Sequence, residues 1–216
     1  MSSAVTNVLL DANILYSRTL RDWIALLQIE APGLFNVTWT EDIMAETLYN
    51  LRKKHPLWSE EQVGGIRRRL EQAFTGGQIT GYQIDATLNY PDIGDAHVHA
   101  AAVHGAVDIV VTANGKDFHY DTELPYEIYH PDDFLVLVDD GASVAVRSVT
   151  QKQLLYFHGK SSSDDGVDLP QRLKDADAPN FAARVREHLQ HVDMSLLKTS
   201  ATATSGNRDF IDARGA

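Results

Sequence analysis

Val8-Leu9-Leu10-Asp11-Ala12-Asn13 and Ile109-Val110-Val111-Thr112-Ala113-Asn114-Gly115-Lys116-Asp117-Phe118 share one pattern: three apolar residues, then a short polar segment rich in carboxylates and amides. A short run that is wholly apolar is the mark of a strand covered on both faces. Side chains that follow such a run stand at the carboxyl end of the strand, where open parallel sheets bind their ligands. The two stretches therefore predict two buried parallel strands that deliver Asp11, Asn13, Thr112, Asn114 and Asp117 to one edge.

Reading outward, short apolar runs alternate with amphipathic ones. Ser17 stands at an N-cap position ahead of Leu20, Trp23, Ile24 and Leu27 at helical spacing. Residues 35–39 read as a strand, and Thr40 caps a helix carrying Ile43, Met44, Thr47, Leu48 and Leu51 until Pro56 stops it. A further helix starts at Ser59, with Glu60 and Glu61 in its first turn, and Gly76-Gly77 ends it. Residues 82–84 and 126–129 read as short strands. Residues 95–106 form an alanine-rich helix closed by Gly105. This rhythm predicts an α/β fold with a central parallel sheet flanked by helices, its crossovers right-handed. Beyond Pro131 the pattern becomes helical, with a helix start at Pro131-Asp132-Asp133, a break at Gly141, and helices over 144–157 and 181–191. A polar loop over 160–166 lies between the last two. The expected organisation is one α/β domain over 1–131, a helical C-terminal extension over 132–198 and a mobile tail over 199–216.

Composition narrows the function. The chain has 216 residues, no cysteine and a net charge of −11. Thiolate metal sites, disulfides and cysteine nucleophiles are excluded. No apolar run reaches the ~20 residues needed to span a bilayer, and the N-terminus carries no secretion signal, so a cytoplasmic protein without membrane contact is expected. Residues 1–80 are nearly balanced, with 8 basic against 9 acidic residues, whereas 81–216 carry 11 against 21. Any nucleic-acid contact must therefore be local. The dense basic groups are Arg52-Lys53-Lys54 and Arg67-Arg68-Arg69, which could hold RNA phosphates, dock an acidic partner segment or form a solvated face. Tyr16, Trp58, Phe118 and Tyr120 are the aromatic residues placed to stack on unpaired bases.

Four carboxylates occupy positions that a parallel sheet would bring together: Asp11, Glu46, Asp95 and Asp117. Each has a plainer reading taken alone. Asp11 and Asp95 can be helix caps, Glu46 a solvated residue paired with a nearby cation, and Asp117 the closing residue of an Asx turn. Together, four carboxylates cannot all ionise without a cation, and oxygen ligands without sulfur or paired histidines select Mg²⁺, with Mn²⁺ able to substitute. His97, His99 and His104 have no metal-ligand spacing and read as packing or surface residues.

These stretches resemble the PIN-domain ribonucleases, in particular the toxins of VapBC-type toxin–antitoxin modules. The resemblance rests on Val8 to Ser17, on Trp39-Thr40-Glu41-Asp42-Ile43-Met44-Ala45-Glu46, on Pro91 to Ala102 and on Ile109 to Phe118, together spanning about residues 6–131. It implies a PIN-like sheet and a metal-dependent endoribonuclease acting by in-line attack of a metal-activated water. It also implies a cognate antitoxin and a homodimer. Asp11, Glu46, Asp95 and Asp117 would then be catalytic and metal-binding. Asn13, Thr112 and Asn114 would orient them, and Asp92 would be an additional ligand; Glu41 competes with Glu46 for the second position. Two other readings stay open. One is an aspartate-nucleophile phosphatase, which Asp11-Ala12-Asn13 matches except for its second carboxylate. The other is a non-catalytic PIN-fold module that binds RNA or protein. The glycine-rich 76–81 segment follows no convincing strand and is weak as a dinucleotide loop.

Overall fold

The computed structural model describes residues 5–118, 123–160 and 167–192. Strand β1 (Thr6–Leu10) leads through the five-residue helix α1 (Ala12–Tyr16) into α2 (Arg18–Glu30), and β2 (Phe35–Thr38) into α3 (Glu41–Lys54) and α4 (Glu60–Ala73). A 3-10 turn at Ile93–Asp95 opens α5 (Ala96–His104). It is followed by β3 (Ile109–Val111), a second 3-10 turn at Gly115–Phe118 and β4 (Glu127–Tyr129). Helices α6 (Pro131–Lys160), α7 (Leu169–Asp175) and α8 (Pro179–Leu189) complete the described chain.

The four strands form one parallel sheet in the order β2-β1-β3-β4. Strand β1 is therefore interior, and Val8, Leu9 and Leu10 have no exposed surface. The register pairs Leu10 with Val111, so the residues that follow, Asp11 and Thr112, emerge side by side. The Asp11 amide continues the ladder by donating to the Val111 carbonyl at 3.1 Å.

Local chemistry explains most helix starts. The Ser17 and Thr40 hydroxyls accept from Leu20 and Ile43 amides, and Ser59 with Gln62 forms a reciprocal capping box. Residues 82–84 are not a strand. After α4 the chain meets the sheet only around Trp39, where Gly77 accepts from the Trp39 amide, the Ile79 amide donates back, and Gln78 bridges Trp39. A side chain at Gly77 would sit 2.1 Å from the Val37 carbonyl oxygen, so the glycine exists for this approach. Tyr82 then turns its hydroxyl to Asp42 on α3.

The helix break expected at Gly141 is a kink. Helix α6 runs for 30 residues with non-helical backbone at Ala142. The segment between the expected helices also holds α7, which is too short to show a helical period. The C-terminal helices pack into the same core as the sheet: Trp23 of α2 meets Phe181 of α8 edge-on at 5.1 Å, and Phe35 of β2 meets Phe134 of α6 at 5.4 Å. Glu30 of α2 ties to Ser148 and Lys152 of α6. Asp139 of α6 faces His188 of α8 at 2.6 Å. Among the described residues no helix is long and apolar enough to cross a membrane. The tail over 199–216 lies outside them.

Helix α8 is capped from another helix. Its own N-cap, Ala178, offers no side-chain acceptor, and Pro179 stands in its first turn. The buried carboxylate of Asp132, at the start of α6, accepts instead from the Asn180 and Phe181 amides at 3.1 and 2.8 Å and from the Asn180 side chain at 2.8 Å. Removing this acceptor leaves the buried Phe181 amide unpaired, at a cost of about 1–3 kcal/mol. Asp132→Ala is expected to lower the melting temperature by roughly 2–12 °C. Asp132→Asn, which keeps one acceptor oxygen, should recover part of that loss in the same thermal scan.

Candidate active site at the carboxyl edge of the sheet

Asp11 is 4% exposed and stands where β1 turns into α1. It does act as a helix cap: one oxygen accepts from the Ala12 amide at 2.5 Å. The other accepts from the Asn13 amide side chain at 2.5 Å and from the Thr112 hydroxyl at 2.7 Å. Thr112 in turn accepts from the Asn13 side chain at 3.1 Å and from the Asn114 amide at 3.0 Å. The Asn13 side-chain oxygen Oδ1 accepts from the Ala113 amide at 3.2 Å. Two strand ends are thus sewn together by one network. Burial raises the Asp11 carboxyl above its ordinary value, opposed by its hydrogen bonds to Thr112 and Ala12, by the charge of His97 and by the bond from Asn13.

Asp11, Glu46 and Asp95 line a single cleft of about 420 Å³ together with Asn13, Tyr16, Asn50, Lys53, Lys54 and Asn114. Asp95 is the N-cap residue of α5, but its side chain makes no capping bond to the helix. Glu46 faces the His97 imidazole at 3.6 Å. His97 Nδ1 is buried and has no hydrogen-bond partner among the described residues. His97 thus sits beside a residue of the cleft without lining the cleft itself. Its neighbour His99 is a packing residue, buried and 2.7 Å from the Tyr126 hydroxyl, and burial lowers its pKa.

The other candidates divide clearly. Glu41 is engaged by Arg67 at 2.8 Å and by Gln78, away from the cleft, so Glu46 is the carboxylate that α3 brings to Asp11. Asp92 is exposed, closes its own turn onto the Gly94 amide at 2.7 Å and does not line the cleft. Asp117 lies in the 3-10 turn after β3, and its side chain is outside the described residues. Phe118 is buried and offers no stacking face, and Tyr120 is outside the described residues. Arg52 donates to the Trp58 carbonyl, whereas Lys53 and Lys54 line the cleft. Arg67 is held by Glu41 and Glu71, Arg68 is exposed, and Arg69 faces a second, larger groove. Asn50 was not anticipated, although Glu46, Asn50 and Lys53 at spacings of four and three share one face of α3.

The family profile described as "PIN domain" matches residues 6–116, which include β1, α3, α5 and β3 with all three carboxylates of the cleft. The chain belongs to the PIN-domain family. A Mycobacterium tuberculosis protein named "Putative ribonuclease VapC50" is 36% identical over 97 residues, covering 43% of this chain and 54% of that protein. The chain therefore matches about half the length of this curated relative. No solved structure matches.

The PIN-domain cleft offers oxygen donors without sulfur or paired imidazoles, a donor set that fits a hard divalent cation. Among the described residues no group of three or more His, Cys, Asp or Glu side chains is placed to hold an ion as a set. Mg²⁺ does not require one, since it keeps several waters and takes one or two carboxylates together with substrate phosphates.

An acid whose pKa is raised by folding stabilises the fold when protonated. That contribution is present below the unfolded carboxylate range and is lost as pH rises. In chelator, Asp11→Asn is therefore expected to gain melting temperature relative to wild type as the buffer rises from the ordinary aspartate range, about pH 4, to about pH 7.5. A gap that does not widen across that range would show that the ionised Asp11 is not costly to bury.

Proposed function

We propose that the chain is a Mg²⁺-dependent endoribonuclease, with Mn²⁺ able to substitute, and that it is the toxin of a type II toxin–antitoxin pair acting in the cytoplasm. Residues 1–131 carry the chemistry and 132–198 form the helical extension. The observation that carries this reading is the convergence of Asp11, Glu46 and Asp95 on one cleft at the carboxyl edge of the sheet. The name of the mycobacterial relative supports the ribonuclease and antitoxin parts, and dimerisation is expected by family resemblance alone.

Asp11, Asp95 and Asp117 would hold the cation, and Glu46 would complete the site or orient the water. When bound, the ion would lower the pKa of a water and neutralise charge on the scissile phosphate. Thr112 and Asn13 hold one Asp11 oxygen and the Ala12 amide the other, so that the carboxylate does not swing when substrate enters. Glu46, beside His97, is placed to orient water and accept its proton. Lys53 and Lys54 hold backbone phosphates at the rim of a cleft that would otherwise repel them. An aspartate-nucleophile phosphatase fits less well. The position two residues after Asp11 is Asn13, whose amide donates to that carboxylate and cannot act as a general acid.

Cleavage of a cellular RNA pool by the purified chain should require Mg²⁺ or Mn²⁺ and stop in EDTA. Asp11→Asn and Asp95→Asn should each lower the rate at least ~100-fold with unchanged circular dichroism, a loss of the size expected when a group acting on the transition state is removed. Glu41→Gln, outside the cleft, should stay within about twofold of wild type. Equal losses in all three variants would deny the cleft its special role.

A further inference from the structure

The acidic cleft opens into a larger groove of about 1110 Å³, and the two share Asn13, Tyr16 and Lys54 as lining residues. Its walls come from α1 and α2, from the α3–α4 turn and from α7, so the C-terminal helices complete it. We propose that this groove carries the single-stranded RNA flanking the scissile bond, with Trp58 as a base-stacking platform. The proposal rests on the nuclease reading, because it is the cleft that places a phosphodiester at the mouth of the groove.

Three observations carry it. First, the groove is lined by five arginine or lysine residues against three carboxylates, in a chain whose net charge is −11. Arg18 and Arg21 are paired with Asp22, so Lys54 and Arg172 are among the cations it offers a ligand. Lys54 stands at the junction with its ammonium 5.1 Å from the centre of the Tyr16 ring. Second, His55 and Trp58 line the groove as a parallel stacked pair, with ring centres 3.8 Å apart and planes within 4°. That pair is held from below: the Trp58 amide donates to the His55 carbonyl at 3.1 Å, and Arg52 donates to the Trp58 carbonyl. Third, Trp58 is only half-buried, whereas Trp23 and Trp39, the other two tryptophans, are core residues. A fixed aromatic step beside cations binds unpaired bases without regard to sequence, which a duplex cannot exploit. An acidic peptide would use the same cations but has no need of a flat aromatic pair.

The test uses the full-length Asp11→Asn chain in Mg²⁺, titrated with a short oligouridylate and with an abasic oligoribonucleotide of equal length while tryptophan emission is followed. Quenching by the oligouridylate, with weaker binding of the abasic strand, is expected. In the same background, Trp58→Leu should weaken oligouridylate binding, measured by anisotropy, roughly 5- to 150-fold, and Trp58→Phe should restore most of it. Lys54→Ala should flatten the salt dependence of log K by about 0.7. No quenching, or equal binding of both strands, overturns the stacking platform. Quenching by a polyglutamate peptide in place of either strand would reassign the groove to a protein partner. Wild-type cleavage measured in parallel separates the two readings. Intact cleavage without quenching leaves the nuclease standing and removes the platform. Base-dependent quenching without any cleavage leaves the platform and removes the nuclease.

Discussion

The parallel pairing of β1 with β3 is the constraint from which the rest follows. Because Leu10 lies opposite Val111, Asp11 and Thr112 leave the sheet together, and a hydrogen bond of 2.7 Å joins residues 101 apart in sequence. Shifting that register by one residue would carry Asp11 away from Thr112 and break the bond between them. The burial of Val8, Leu9 and Leu10 therefore fixes more than stability. The same packing that covers these three side chains aims a carboxylate at the edge of the sheet.

A buried carboxylate is expensive, and the cleft shows how the fold tolerates one. Asp11 receives three hydrogen bonds, which oppose but do not cancel the effect of burial. Two further carboxylates share its cleft, and the compensating cations, Lys53 and Lys54, are on the last turn of α3, where they also complement the helix dipole. The capping and catalytic readings of Asp11 are not alternatives. Ala12 takes one direction on one oxygen, and Asn13 and Thr112 take both on the other, which holds the group still and leaves one lone pair of the capping oxygen unused.

Much of this was legible in the sequence because strand ends and helix caps are local. Val8-Leu9-Leu10-Asp11 and Ile109-Val110-Val111-Thr112 declare themselves by an abrupt change from apolar to polar, and Ser17, Thr40 and Ser59 by their positions ahead of periodic apolar residues. What was hidden depends on distant neighbours. Residues 82–84 have strand-like composition, but the chain leaves the edge of β2 after the Gly77–Ile79 contacts with Trp39. Glu41 and Glu46 are equivalent by composition, and only the partner of Glu41, Arg67 from α4, separates them. His97 lacks metal-ligand spacing, and its approach to Glu46, 51 residues away in the chain, comes from the tertiary fold. The two basic triplets look uniform in sequence, yet within each the neighbours differ in partner and in direction.

The span between the two halves of the cleft has a kinetic consequence. Closing a loop of about a hundred residues costs conformational entropy before any contact across it is gained, and such non-local strand pairing forms slowly. Helices α2, α3 and α4 can take shape locally, whereas the network of Asp11, Asn13 and Thr112 requires β3 to be present and docked. A growing chain that has not yet released β3 from the ribosome lacks half of that network. Assembly of the cleft is thereby coupled to near-completion of the α/β core.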